Sequence, residues 1–193
     1  MIPLTNKSAK SASKAFINRR TIKFYLALVR GYVVQDHIHI RNKIGADSRD
    51  DWKGIKMCSD DKDYCDKPRD SETKLIVLSR GKFDGEVASK ILLKPITGRR
   101  HQLRVHCDSI GHRIVGDFTY SDRTDTKPER MFLHAQRLIL PNNVEAGLDI
   151  RTEDPFDDPE VKGNLYQAEE IVCSSLEEGY EIFDKVANWF EAR

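Results

Sequence analysis

The sequence predicts an α+β fold, a mostly antiparallel mixed sheet with helices packed against it. Three observations carry that prediction. Apolar residues alternate with period two in several segments between residues 22 and 140, the pattern of strands that bury one or both faces. The period becomes helical over 7–19, after Pro95 and over 176–191. The strands come in antiparallel runs with the helices inserted between them, and 193 residues with 39% apolar content suffice for one core.

The first helix, over 7–19, places Ala9, Ala12 and Phe16 on one side and its bases elsewhere. From 22 to 34 both strand faces are mostly apolar: Ile22, Phe24, Leu26 and Leu28 on one, Lys23, Tyr25, Ala27 and Val29 on the other, which predicts a central strand. Alternation returns at His37-Ile38-His39-Ile40. A polar run over about 42–71 predicts a long loop or hairpin insertion. Strands resume over 73–78 and 87–93, with Gly81 and Gly85 placing a turn between them.

After Pro95, Leu103, Cys107 and Ile110 recur at helical spacing, Thr97 is the predicted N-cap and Gly111 the C-terminal stop. Arg100 and Arg104, four residues apart, would share one face beside the helix start and form an anion site. A strand over 132–140 ends at Pro141, and an acidic turn region over 151–163 contains Pro155 and Pro159. The final helix, over 176–191, would dock through Tyr180, Phe183, Ala187 and Phe190.

The net charge is only +1, yet it is unevenly distributed. Residues 1–31 carry seven Lys or Arg and no acid, whereas 151–193 carry twelve acids against four bases. That division predicts a basic face balanced by an acidic C-terminal element. The four cysteines contain no Cys-x-x-Cys pair, and Cys58 and Cys65 with His37 and His39 lack zinc-site spacing, so no metal is predicted. No apolar run is long enough for a membrane span. Reduced thiols are expected, in an intracellular compartment, cytoplasmic or nuclear. The basic, serine-containing first twenty residues have the composition of a mitochondrial transit peptide.

The segment Leu93-Lys94-Pro95-Ile96-Thr97-Gly98-Arg99-Arg100-His101-Gln102-Leu103-Arg104-Val105-His106, followed by Gly111-His112 and Val115-Gly116-Asp117 through Tyr120, resembles the signature of the RluA-type RNA pseudouridine synthases. Lys23-Phe24-Tyr25-Leu26-Ala27-Leu28-Val29-Arg30-Gly31 is similar to that family's tyrosine motif, and Leu133-His134-Ala135 to its closing strand. The resemblance argues against a transit peptide, because a family helix corresponds to the first helix here. It implies that residues 1–156 are the C-terminal portion of such a domain, with 157–193 an acidic extension ending in a helix.

The activity implied is isomerisation of uridine to pseudouridine in RNA, with no metal or organic cofactor. The target base would be flipped out of its stack. Tyr25 corresponds to the tyrosine that stacks on uracil and assists proton removal, and Arg104 to the base that pairs with the catalytic aspartate. Arg99, Arg100, His101 and Gln102 are the candidate RNA contacts, and His106 is expected to be a hydrogen-bonded structural histidine. Asp117 reads as a turn residue. The family's His-Arg-Leu-Asp or His-Gln-Leu-Asp motif, followed by Thr-Ser-Gly, does not occur. The expectation is therefore an incomplete catalytic domain that does not make pseudouridine by itself. Three alternatives follow: part of an active synthase, a catalytically dead RNA-binding or scaffolding module, or a product that folds poorly.

Overall fold

The computed structural model describes residues 5–140, 147–156 and 165–192. The chain opens with α1 (Asn6–Ile17), whose start is fixed reciprocally: the Thr5 hydroxyl accepts from Ser8 N, and the Ser8 hydroxyl accepts from Thr5 N. It stops short of residue 19, which takes a left-handed φ of 54°. Then come β1 (Ile22–Arg30), β2 (His37–Ile40), β3 (Ile44–Asp47), a 3-10 turn (Asp50–Trp52), β4 (Met57–Ser59) and β5 (Cys65–Arg69). The long hairpin β6 (Thr73–Phe83) and β7 (Glu86–Pro95) leads to α2 (Gln102–Ser109), β8 (Leu133–Leu140) and β9 (Leu148–Arg151). The remaining elements are β10 (Tyr166–Ile171), α3 (Leu176–Lys185) and β11 (Phe190–Ala192).

The main sheet is ordered β11-β2-β6-β7-β1-β8-β9, and β10 joins β6 beyond β2. All its pairings are antiparallel except β11 with β2. The fold is the predicted α+β, with helices on both sheet faces. Alternation along β1 explains the layering. Phe24, Leu26 and Leu28 pack with Tyr180 and Phe183 of α3, while Ala27 and Val29 pack with Leu103 and Cys107 of α2. Among the described residues no helix is long and apolar enough to cross a membrane.

Several elements differ from the periodicity. β1 ends at Arg30 because Gly31 turns at φ +87°, and the carbonyls of Val33 and Val34 accept from the buried Arg80 guanidinium instead of a ladder partner. The β6–β7 turn is made by Asp84 and Gly85, both at positive φ. Gly81 lies within β6, where its missing side chain admits the Gln167 carbonyl of β10. The 42–71 segment contains a separate three-stranded antiparallel sheet, β4-β3-β5. The C-terminal helix ends at Lys185; Val186 turns extended, Trp189 stacks on Phe183, and Phe190, 51% exposed, belongs to β11. Part of the acidic turn region, 157–163, lies outside the described residues.

Candidate functional site

The loop from β7 into α2 is held by one amide. Gln102 Oε1 accepts from the Thr97 hydroxyl at 2.7 Å and from Arg99 N at 2.9 Å. Its Nε2 donates to the Glu72 carbonyl at 2.9 Å and to Thr73 Oγ1 at 3.0 Å. Thr97 is therefore not the N-cap; that position falls to His101, which has a left-handed φ of 54° and makes no side-chain cap. Gln102 is buried with its amide engaged inside the chain, which gives it a positioning role.

The proposed pairing of Arg100 with Arg104 on a helix face does not form, because α2 begins only at Gln102. Arg100 Nη2 donates to the carbonyls of Gly54 at 2.9 Å and Ile55 at 3.3 Å, and Arg99 Nε donates to the Asp70 carbonyl at 3.0 Å. Both arginines thus brace the 42–71 segment against the loop. Arg104 turns instead to Asp117, donating from Nε at 2.7 Å and from Nη2 at 2.6 Å. This is the two-pronged geometry in which a guanidinium binds a carboxylate most strongly. Asp117 is 1% exposed and also accepts from Tyr120 N at 3.1 Å, so no carboxylate edge faces solvent.

Tyr120 extends this set to the small sheet. Its hydroxyl accepts from Met57 N at 3.1 Å and donates to the Met57 carbonyl at 3.0 Å, while the Arg104 guanidinium lies 4.7 Å from its ring centroid. Burial pushes the Tyr120 phenol pKa well up. His101 Nδ1 lies 3.3 Å from the same hydroxyl, and burial, then the nearby Arg104 and Arg100 charges, lowers the imidazole pKa. The buried Lys56 donates to Asp122 at 3.1 Å and lies over the Trp52 and Tyr120 rings.

Asp117, Tyr120 and Lys56 were not legible as site residues in the sequence. The turn assignment for Asp117 describes its bond to Tyr120 N but misses Arg104, thirteen residues earlier. The available signal was Gly116-Asp117 with Tyr120 three positions later. Gly116 has a φ of 75°, and a methyl there would overlap the Arg130 carbonyl. Gly116→Ala is expected to cost about 2 kcal/mol or more, checked by urea denaturation of both proteins.

Tyr25 projects from β1 on the α2 side, half-buried, opposite Leu93 of β7 and Ala135 of β8. A register shift between Phe24 and Tyr25 interrupts the β8 pairing there. Its hydroxyl has no hydrogen-bond partner among the described residues, and burial raises its pKa. Tyr25 and Arg104 are brought to one side of the sheet, without a hydrogen bond between them. His106 is fully buried: Nδ1 meets Thr73 Oγ1 at 2.8 Å, and Nε2 meets the Asn42 carbonyl and the Ser71 hydroxyl, each at 3.0 Å. It ties together both ends of the 42–71 segment. His39 lies between Glu72 and Glu191, and Cys58 and Cys65 lie in the small sheet.

A family model described as RNA pseudouridylate synthase matches residues 2–109. The chain is similar to RNA pseudouridylate synthase domain-containing protein 1 of Danio rerio, 43% identical over 155 residues, covering 80% of this chain and 52% of the relative. It is also similar to the dual-specificity RNA pseudouridine synthase RluA of Vibrio parahaemolyticus, 39% identical over 144 residues, covering 72% and 54%. Among solved structures, Human RNA Pseudouridylate Synthase Domain Containing 1 aligns with a TM-score of 0.84 at 37% identity, covering 95% of this chain and 74% of that one. The chain spans about half the length of the curated relatives it matches.

Proposed function

The chain belongs to the RNA pseudouridylate synthase family, and on that premise we propose that it supplies the tyrosine and arginine walls of a site that isomerises uridine in RNA. In that reaction the bond from the ribose to N1 of uracil breaks, the base turns, and a bond to its C5 forms. The proton on C5 leaves and N1 gains one, so the product is an isomer. Tyr25 would lie against the uracil and assist removal of the C5 proton. Arg99 and Arg100, oriented by backbone carbonyls, keep further N–H groups for RNA phosphates. Arg104 Nη1 has no partner among the described residues and is the donor available to a catalytic carboxylate.

The observation that carries the reading is the half-buried Tyr25 hydroxyl, without a hydrogen-bond partner among the described residues, on the face that α2 covers. The second part of the proposal is that these 193 residues do not convert uridine by themselves, since the aspartate motif that the resemblance calls for does not occur among them and Asp117, the carboxylate beside Arg104, is enclosed by Arg104 and Tyr120. An assay of uridine conversion in structured RNA would compare this chain with a fusion to a relative's carboxylate-bearing segment. Conversion is expected from the fusion only, and Tyr25→Phe in the fusion should abolish it. Conversion by the 193 residues alone would overturn the second part. RNA binding without conversion by either protein would favour a catalytically dead binding module.

A further inference from the structure

The polar groups of the arginine motif are largely engaged within the chain, but one cation beside Tyr25 is not. Lys23 lies two residues before Tyr25 on the same face of β1, opposite Leu138 of β8. It is half-buried, and its ammonium has no carboxylate partner among the described residues. The other lysines that are not exposed each have a partner: Lys56 with Asp122 at 3.1 Å, Lys90 with Asp154 at 2.6 Å, Lys94 with Asp184 at 3.4 Å, and Lys74, which has no carboxylate, over the Trp189 ring at 4.6 Å. A charged amine held partly out of water without a counter-charge is costly, and burial lowers its pKa.

We propose that the Lys23 ammonium is a phosphate-binding group of this site, placed to take the phosphodiester of the nucleotide whose base Tyr25 receives; the assignment rests on the RNA reading above. Residues two apart on a strand are separated by roughly 7 Å. That is the scale on which a uracil ring and its own phosphate are separated. The Nζ atom points at the loop before α2, where a Cβ on Gly98 would lie 3.6 Å away. Gly98 is exposed and has no side chain, so that side of the ammonium stays open to a ligand. The segment that leads into Lys23 is also basic in sequence, with Lys7, Lys10, Lys14, Arg19 and Arg20 and no acid among residues 1–31. An arriving phosphate would supply the missing counter-charge.

The test uses the whole chain with its lysines reductively dimethylated with carbon-13. The Lys23 resonance is identified by its loss in Lys23→Arg, and uridine 5′-monophosphate and uridine are titrated separately. The monophosphate should shift that resonance and uridine should not. In parallel, Lys23→Gln should weaken binding of a structured RNA about tenfold at low salt, the loss typical of one charged hydrogen bond. It should also lower the slope of log affinity against log salt by about 0.7–0.9, and Lys23→Arg should restore both. Thermal melts keep folding defects apart from these effects. A Lys23 resonance indifferent to the monophosphate, or an unchanged salt slope in Lys23→Gln, would overturn the assignment. A shift with the monophosphate but no RNA binding by the parent chain would overturn the RNA reading and leave Lys23 as a phosphate site.

Discussion

Arg104→Ala is expected to destabilise the fold by about 3–5 kcal/mol, the cost of leaving a buried carboxylate without its partner. Asp117 is almost wholly enclosed and both its oxygens are bound by the Arg104 fork. Removing the guanidinium leaves that charge with only Tyr120 N as a donor from this set. For a chain of this size the midpoint of thermal unfolding should fall by on the order of 10 °C. The double variant Arg104→Ala, Asp117→Ala should recover part of the loss, because the stranded charge is gone. Denaturation of the four proteins of the cycle gives the coupling directly, and additive effects would reject the buried pair as its source. A drop in RNA affinity for Arg104→Ala cannot be attributed to a lost RNA contact until that folding cost is subtracted.

Acid should weaken the fold through His106. Burial holds this imidazole down at about 4, against an ordinary value of 6.5. Between those values the unfolded chain binds a proton that the folded chain does not, so stability falls as pH drops through that window. Above pH 6.5 the ring is neutral in both states and the effect vanishes; below about 4 it is complete. The full difference is about 3 kcal/mol. Structurally, Nε2 must carry the proton of the neutral ring because it faces the Asn42 carbonyl, so Nδ1 accepts from the Thr73 hydroxyl and a second ring proton there would meet that hydroxyl's own. His106→Gln should cost stability at pH 7.5 but flatten the pH dependence between 6.5 and 5. Urea midpoints across that range provide the check, and equal slopes in both proteins would exclude His106 as the sensor. Since His106 joins Asn42, Ser71 and Thr73, amide protection in 44–69, taken relative to the intrinsic exchange rate at each pH, should fall first in acid.

The central strand was legible because its pattern is local. Leu26, Ala27, Leu28 and Val29 form an unbroken apolar run, and its two-faced burial follows from strand geometry alone. The same applies to the two strands of the β6–β7 hairpin, though not to its turn, which lies at Asp84 and Gly85 with Gly81 inside β6, and to α2 beyond its first turn. The small sheet at 44–69 was not legible. Its strands are three to five residues long, too short to show a period, and much of what holds it in place comes from outside it, from Arg100, Tyr120 and His106. The final helix was predicted too long because Phe190 continues a helical stripe, although its backbone pairs with β2.

The sequence by itself determined the α+β class, the central strand bearing Tyr25, and the motif that identifies an RNA-modifying family. These depend on residue type at fixed spacing, which a chain displays before it folds. Only the tertiary structure decided what each polar side chain is bonded to. It gave Arg104 to Asp117, Arg99 and Arg100 to backbone carbonyls of the 42–71 segment, and Gln102 to the loop before α2. It left Tyr25 and Lys23 without polar partners among the described residues. The physical reason is that a buried donor or acceptor must be satisfied by whatever group the fold brings within about 3 Å, and that partner is set by three-dimensional proximity, not by sequence spacing.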